Sequence, residues 1–207
     1  LERLAAEGRV PRLFLHSCCA PCSSYVLEYL SKYFEITVFY YNPNIYPPKE
    51  YDERLAEVRR LVSEMEFAHP VTVVAGAYDP ALFFDAVKGL EAEKEGGARC
   101  ERCFRLRLME AARLAKDGGY DYFTTTLTVG PKKDARLLNQ LGEEIGSMYG
   151  VAYLNSDFKK KNGHFRSLEL SEQYGLYRQD YCGCVFSRRG GDAGAAASGR
   201  GAGDLSF

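Results

Sequence analysis

Along the chain, short apolar runs alternate with stretches whose apolar residues recur every three or four positions. Arg12–Ser17 (RLFLHS) reads as a buried strand, and Pro21 falls where it fits the first turn of a helix through CSSYVLEYLSKY. EITVFYYN, β-branched and aromatic, predicts the second strand, and the NPNIYPP after it a turn-rich loop. From about Lys49 to Glu66, Tyr51, Leu55, Val58, Val62 and Met65 mark one helical face. VTVVAG is a third strand. Asp79 and Pro80 predict a cap and first turn for a helix ALFFDAVKGLEAE, which EGG ends. Phe104, Leu108, Ala111 and Ala115 line the next helix, closed by Gly118-Gly119, and YDYFTTT is a fourth strand. Leu138, Leu141, Ile145 and Met148 mark a further helix ended by Gly150, before a short fifth strand, VAYL.

Strands alternating with helices of this length predict an α/β fold: a parallel sheet with helices on both faces. Ligands of such sheets bind beyond the carboxyl ends of the strands. HSCCAPC, NPNIYPP and TTLTVGPKKD follow strands one, two and four, so all three loops should open on one rim. From 155 to 187 the chain turns polar, basic and tyrosine-rich, a C-terminal extension to the sheet. Residues 188–207, rich in Gly and Ala, read as a disordered tail, which leaves 1–187 as a single domain.

The totals change this picture little, except in one respect. At 207 residues the chain suits one substantial core, and its formal charge of −1 supplies no overall basic field for a polyanion. No apolar run approaches the roughly 18–20 residues of a membrane span and no signal peptide opens the chain, which points to the cytoplasm. The first residue is Leu1, consistent with a truncated or processed start.

The exception is seven cysteines, in three groups: Cys18-Cys19-x-x-Cys22, Cys100-x-x-Cys103 and Cys182-x-Cys184. The odd count argues against a disulfide framework, and the paired spacing points to metal binding or thiol redox chemistry. Cys19-Ala20-Pro21-Cys22 between strand and helix has the layout of a thioredoxin active site. That reading leaves Cys18 and the second Cys-x-x-Cys pair without a role. A tight turn can converge Cys18 and Cys19, and Cys100 and Cys103 at a helix start can face one site. Together they form a four-thiolate set for an iron–sulfur cluster or for zinc. Cys182 and Cys184 are close enough to pinch a second metal or to form a strained disulfide, with Cys22 able to face the same cavity. The plainer alternative for some of these residues is a buried small hydrophobe.

LHSCCAPCSSY, YYNPNIYPPKEYDERL, CERCFRLRL, TTTLTVGPKKD and DFKKKNGHFRSLELSEQYGLYRQDYCGCVFS resemble the QueH-type epoxyqueuosine reductases, over roughly Arg12 to Ser187. The resemblance implies a cobalamin-independent oxidoreductase that removes the epoxide oxygen of epoxyqueuosine at the tRNA wobble position. It also implies a three-layer fold similar to the adenine-nucleotide α-hydrolase (PP-loop) superfamily. SCCAPC would replace that superfamily's glycine-rich loop, so ATP use is not implied. On this resemblance Cys18, Cys19, Cys100 and Cys103 look like [4Fe–4S] ligands. Cys182 and Cys184 look like a redox-active pair or ligands of a second, mononuclear iron, with Cys22 as a participant. Electrons from an unidentified donor would pass through the cluster while the second site polarises the epoxide.

For the tRNA, the basic residues Lys159, Lys160, Lys161 and Arg166, with Lys132 and Lys133 on a rim loop and Arg178, are candidate substrate contacts against the alternative of a solvated loop. Tyr174, Tyr177 and Tyr181 could stack on an unpaired base or simply pack in the core. His16 and His164 are candidate proton donors, and Asp134, Asp157 or Asp180 a candidate iron ligand. A thiol–disulfide oxidoreductase using Cys19 and Cys22 and a zinc-stabilised RNA-binding module are the competing functions.

Overall fold

In the computed structural model, which describes residues 9–188, five strands form one sheet in the order β3-β2-β1-β4-β5. They are β1 (Arg12–Ser17), β2 (Glu35–Tyr40), β3 (Val71–Ala75), β4 (Tyr122–Thr125) and β5 (Ala152–Tyr153). Every pairing is parallel, with Leu13 opposite Ile36 on one side and Tyr122 on the other. The helices are α1 (Ala20–Leu30), α2 (Pro48–Glu64), α3 (Pro80–Ala86), α4 (Ala98–Asp117), α5 (Ala135–Tyr149) and α6 (Gly163–Gln173). None is both long and apolar enough to cross a membrane.

Alternation along β1 builds two cores. Leu13 and Leu15 point to one face, where Val26, Leu27 and Leu30 of α1 and Tyr51, Val58 and Leu61 of α2 cover them. Phe14 points to the other, against Phe104 and Leu108 of α4 and Leu138, Leu141 and Ile145 of α5. Strands buried on both faces explain the nearly continuous apolar runs. The expected fold class and five strands are present, with β5 trimmed to two residues.

Four local expectations need correction. The helix expected over 81–93 ends at Ala86: Val87 turns inward, and Gly89 takes a positive φ of 82°. Met148 does not share the buried face of α5 but is 62% exposed. A 3-10 turn, Thr126–Val129, follows β4 in place of open loop. The polar segment 155–187 contains α6, packed along α1 and tied to it by Arg166 on Glu28 (2.6 Å). Its buried face is Gly163, Ser167, Leu170 and Ser171, nearly without apolar signal. The expected tail lies outside the described residues, apart from Arg188.

The two ends of the α5 face make a direct test. Ile145→Ala should cost about 2–5 kcal/mol in denaturant unfolding, as for other fully buried isoleucines. Met148→Ala should stay within about 0.5 kcal/mol of wild type.

Candidate functional site

The sheet order reverses direction between β1 and β4, and the crevice beyond their carboxyl ends is where an open α/β sheet receives a ligand. Cys18, Cys19 and Cys22 sit there. Cys19 caps α1 with extended backbone (φ −172°), its Sγ accepting from the Cys22 N–H at 3.4 Å. The three sulfurs lie within 4.8 Å of one another, with Cys18 Sγ 3.7 Å from Cys19 Sγ. Thr126 after β4 closes the group: the Cys18 N–H donates to Thr126 Oγ1 at 3.4 Å, and Cys18 Sγ lies 3.6 Å from that oxygen. After β2, Asn42 Nδ2 donates to the Ser17 carbonyl at 2.9 Å. The three expected rim loops therefore do converge.

The second cysteine set lies across from the first. Cys100, Cys103, Cys182 and Cys184 line one small cavity with Arg99, Phe104, Arg107 and Asn44. Cys100 is in the first turn of α4 and its sulfur accepts from the Gly96 N–H at 3.2 Å. Lys133 Nζ donates to Cys182 Sγ at 3.2 Å. The structure thus groups Cys22 with Cys18 and Cys19, and places Cys100 and Cys103 beside Cys182 and Cys184.

Between the sets lies Arg107, 1% exposed. Its Nη1 donates to Asn42 Oδ1 (3.2 Å) and its Nε to the Cys103 carbonyl (3.3 Å), while Nη2 has no partner. Arg99, also buried, leaves its Nε unpartnered. Among the described residues neither guanidinium forms an ion pair with a carboxylate. Burial works against the charge on Arg107, yet the neighbouring sulfurs of Cys103, Cys182, Cys18 and Cys100 hold it above its ordinary value. An unpaired buried cation is costly, so this cavity calls for an anion. Thiolates that share a metal centre are such an anion, and two helix N-termini add to the field that favours it. The donor set, all soft sulfur, fits iron–sulfur or zinc binding.

The thiols are not equivalent. Hydrogen bonds from Cys19 and Cys22, helped by Thr126 and Arg107 against burial, bring Cys18 well below the usual thiol value. Cys19, donating to Cys18, is pushed up to about 12, and Cys22 is raised for the same reason. This is the reverse of the lowered thiol that a Cys19/Cys22 exchange nucleophile needs. Burial lifts Cys103 to about 12 against the pull of Arg107.

Cys182-Gly183-Cys184 is held in place by a polar clamp. Arg54, 2% exposed, donates to Glu50 (2.7 Å) and to the carbonyls of Cys182 (3.4 Å) and Tyr181 (3.5 Å). Its guanidinium carbon lies 5.1 Å from the Tyr181 ring centre, and Tyr46 N–H donates to the Gly183 carbonyl at 2.9 Å. Gly183 adopts φ +114°, and a Cβ there would meet Ile45 Cγ1 at 2.9 Å.

Other candidates are distributed less simply. His16 is fully buried, donating from Nε2 to the Tyr41 carbonyl (3.1 Å) with Nδ1 2.9 Å from Thr125 Oγ1. Burial and Arg107 lower it to about 3, which makes it a neutral positioning residue. Lys133 is committed to Cys182 and Glu95; burial opposes its charge, but these partners outweigh it. Lys159 donates to the Thr128 and Lys133 carbonyls, and Arg166 is paired with Glu28 and Glu169. Tyr177 donates to Glu50 at 3.2 Å, Tyr181 to the Tyr46 carbonyl at 3.0 Å, and Tyr174 packs against the core. Asp134 caps α5, Asp157 meets Lys159 and Lys160, and Asp180 is exposed. Lys132, Lys160 and Arg178 remain exposed.

Sequence reasoning missed Arg54, Arg99 and Arg107. A signal was present for the last: Cys100, Cys103 and Arg107 are spaced i, i+3, i+7 on α4. Gly183→Ala tests the clamp and should destabilise the protein by about 1–3 kcal/mol in denaturant unfolding. Unchanged stability would contradict the clamp.

The sequence model of the family "Epoxyqueuosine reductase QueH" matches residues 13–190. Similar proteins bearing that name include one from Staphylococcus epidermidis, 44% identical over 185 residues (87% of this chain, 78% of the relative). Another from Streptococcus pyogenes is 43% identical (88% and 72%), and one from Thermotoga maritima is 34% identical (84% and 89%). Among solved structures, the U34-tRNA thiolase NcsA of Methanococcus maripaludis, with its [4Fe-4S] cluster, superposes with a TM-score of 0.53 at 14% identity. The match covers 86% of this chain and 62% of that one, a likeness of fold. With the family match spanning nearly all the described residues, the chain belongs to the epoxyqueuosine reductase QueH family.

Proposed function

We propose that this chain is an iron–sulfur epoxyqueuosine reductase, a single domain over residues 1–187 acting on tRNA in the cytoplasm. It removes the epoxide oxygen of epoxyqueuosine at the wobble position: two electrons and two protons enter, two C–O bonds break, an alkene forms and the oxygen leaves as water. The observation that carries the reading, beside family membership, is the carboxylate-free Arg107 with thiols on both sides at the β1/β4 switch point. An external electron donor supplies the reducing equivalents.

Cys18, Cys19, Cys100 and Cys103 are the proposed [4Fe–4S] ligands. Cys182 and Cys184 serve as a redox pair or hold a second, mononuclear iron, with Cys22 as a participant. When bound, the cluster supplies one-electron transfer and the second iron a Lewis acid for the epoxide oxygen. Proximity favours a second partition, Cys18, Cys19 and Cys22 in one set and the other four thiols in the second. In either partition Arg107 balances thiolate charge, His16 fixes the β1 end as a neutral imidazole, and Lys133 Nζ holds a proton beside Cys182. The exposed Lys132, Lys160 and Arg178 are the proposed phosphate contacts, leaving Lys133, Lys159, Arg166 and Tyr177 to internal partners.

Protein purified without oxygen should contain iron and acid-labile sulfide, and should convert epoxyqueuosine in tRNA when given a chemical reductant. The double variant Cys182→Ser with Cys184→Ser should lose turnover. If sulfide leaves with the two thiols, the first partition fails. Colourless zinc protein, or full turnover without iron, would overturn the proposal.

A further inference from the structure

Beside the thiol centre the surface is hollowed twice. One hollow, of about 790 Å³, runs along the start of α5 and has Lys133, Arg136 and Lys159 in its walls. The other, of about 550 Å³, lies between α1 and the segment after β5, walled by Tyr25, Tyr29, Leu154 and Phe158 with Lys160 and Lys161. The two adjoin, because Asn139, Asp157 and Lys160 line both. The near end of this trough touches the thiol centre, where Lys133 Nζ donates to Cys182 Sγ at 3.2 Å. Its middle is fixed: Lys159 Nζ donates to the Lys133 carbonyl at 2.9 Å, and Asn139 exchanges two hydrogen bonds with the Ser156 backbone.

The far end is aromatic. Tyr25 and Tyr29, half-buried one turn apart on α1, stack with ring centres 6.2 Å apart. Gly163 leaves room for the Tyr25 ring, since a Cβ there would collide with it. The trough's carboxylates are already engaged: Asp134 caps α5, Asp157 meets Lys159 and Lys160, and Glu143 accepts from Asn155. Arg136 and Lys161, both exposed, form no ion pair among the described residues. Lys161 and Asn162 hold φ of 51° and 62°, two successive left-handed residues without a glycine. Such a turn is a costly way to carry a lysine at a cavity's edge unless its position matters.

We propose that the trough seats the single-stranded nucleotides flanking the reacting one in the substrate tRNA, with one flanking base stacked on the Tyr25–Tyr29 wall and phosphates along Arg136, Lys160 and Lys161. The aromatic hollow has the size of a small-ligand site, enough for a nucleoside, and a paired helix would offer it no open base face. Stacking tolerates any base and phosphate contact is blind to sequence. The trough therefore fixes where the loop lies, while the thiol centre acts on the modification. The inference rests on the reductase reading and names the part of the substrate held outside the reacting nucleoside.

The test measures binding of the iron-loaded enzyme, without reductant, to tRNA anticodon hairpins with guanosine at the wobble position, intact or abasic at one flanking position at a time. Conversion of epoxyqueuosine tRNA by wild type, with reductant, is followed in parallel. Wild type should bind one of the abasic hairpins roughly tenfold more weakly than the intact one. The double variant Tyr25→Leu with Tyr29→Leu should weaken the intact hairpin by a similar factor and bind that abasic hairpin as wild type does. Tyr25→Phe with Tyr29→Phe keeps both rings and should keep wild-type affinity. Lys161→Ala should weaken every hairpin alike and reduce the slope of log affinity against log salt by about 0.7. A wild type indifferent to every flanking base overturns the subsite, as does a leucine variant that loses equally on intact and abasic hairpins; conversion by wild type then leaves the reductase reading standing. Absence of conversion in wild type overturns the reading, and the inference with it.

Discussion

A positive charge buried without a carboxylate organises this protein. Arg107 lies within the sheet's rim, hydrogen-bonded to one amide oxygen and one backbone carbonyl, and one of its nitrogens has no partner. In a hydrophobic interior that arrangement is stable only if negative charge is supplied locally. The cysteines can be that source, Cys18 by its own ionisation and the others once a metal holds their sulfurs as thiolates. Cys18 is drawn toward thiolate on one side, and Cys100, Cys103 and Cys182 act on the guanidinium from the other. Fold, thiols and cation form one electrostatic unit.

Other features serve to bring sequence-distant thiols to that charge. The switch between β1 and β4 places Cys18 beside Thr126, and α4 carries Cys100, Cys103 and Arg107 inward on one face. The last pair arrives by a different route. Cys182 and Cys184 lie on no strand or long helix, so their position depends on the Arg54–Glu50 pair and on a glycine conformation that other residues rarely adopt. Tyr177 and Tyr181 reinforce this clamp through Glu50 and Tyr46. Residues that look like RNA contacts in the sequence thus spend their polar groups on the clamp.

The alternating pattern made the sheet legible because β1, β2 and β4 are buried on both faces and flanked by amphipathic helices. α6 was illegible because serine and glycine form most of its buried face, so hydrophobic periodicity is absent. The helix after Asp79 was overdrawn because Val87 is apolar but belongs to a turn. Cysteine spacing revealed that thiols pair, but which pairs meet is set by distances between elements that spacing does not encode. Cys22 does join Cys18 and Cys19, with which the sequence groups it, although the expected four-ligand set left it out. Arg54 and Arg107 drew no notice in the sequence because burial of a cation depends on neighbours contributed by other elements.

Thermal unfolding of wild type and Arg107→Met, each prepared metal-free and iron-loaded, tests the central claim most directly. If Arg107 exists to balance an anionic metal–thiolate centre, the methionine variant is at least as stable as wild type without metal, since a buried unpaired cation has been removed. Once loaded, it gains less stability from its iron than wild type does and sheds that iron faster. An Arg107→Met protein that is equally destabilised in both forms and retains iron like wild type would contradict the account.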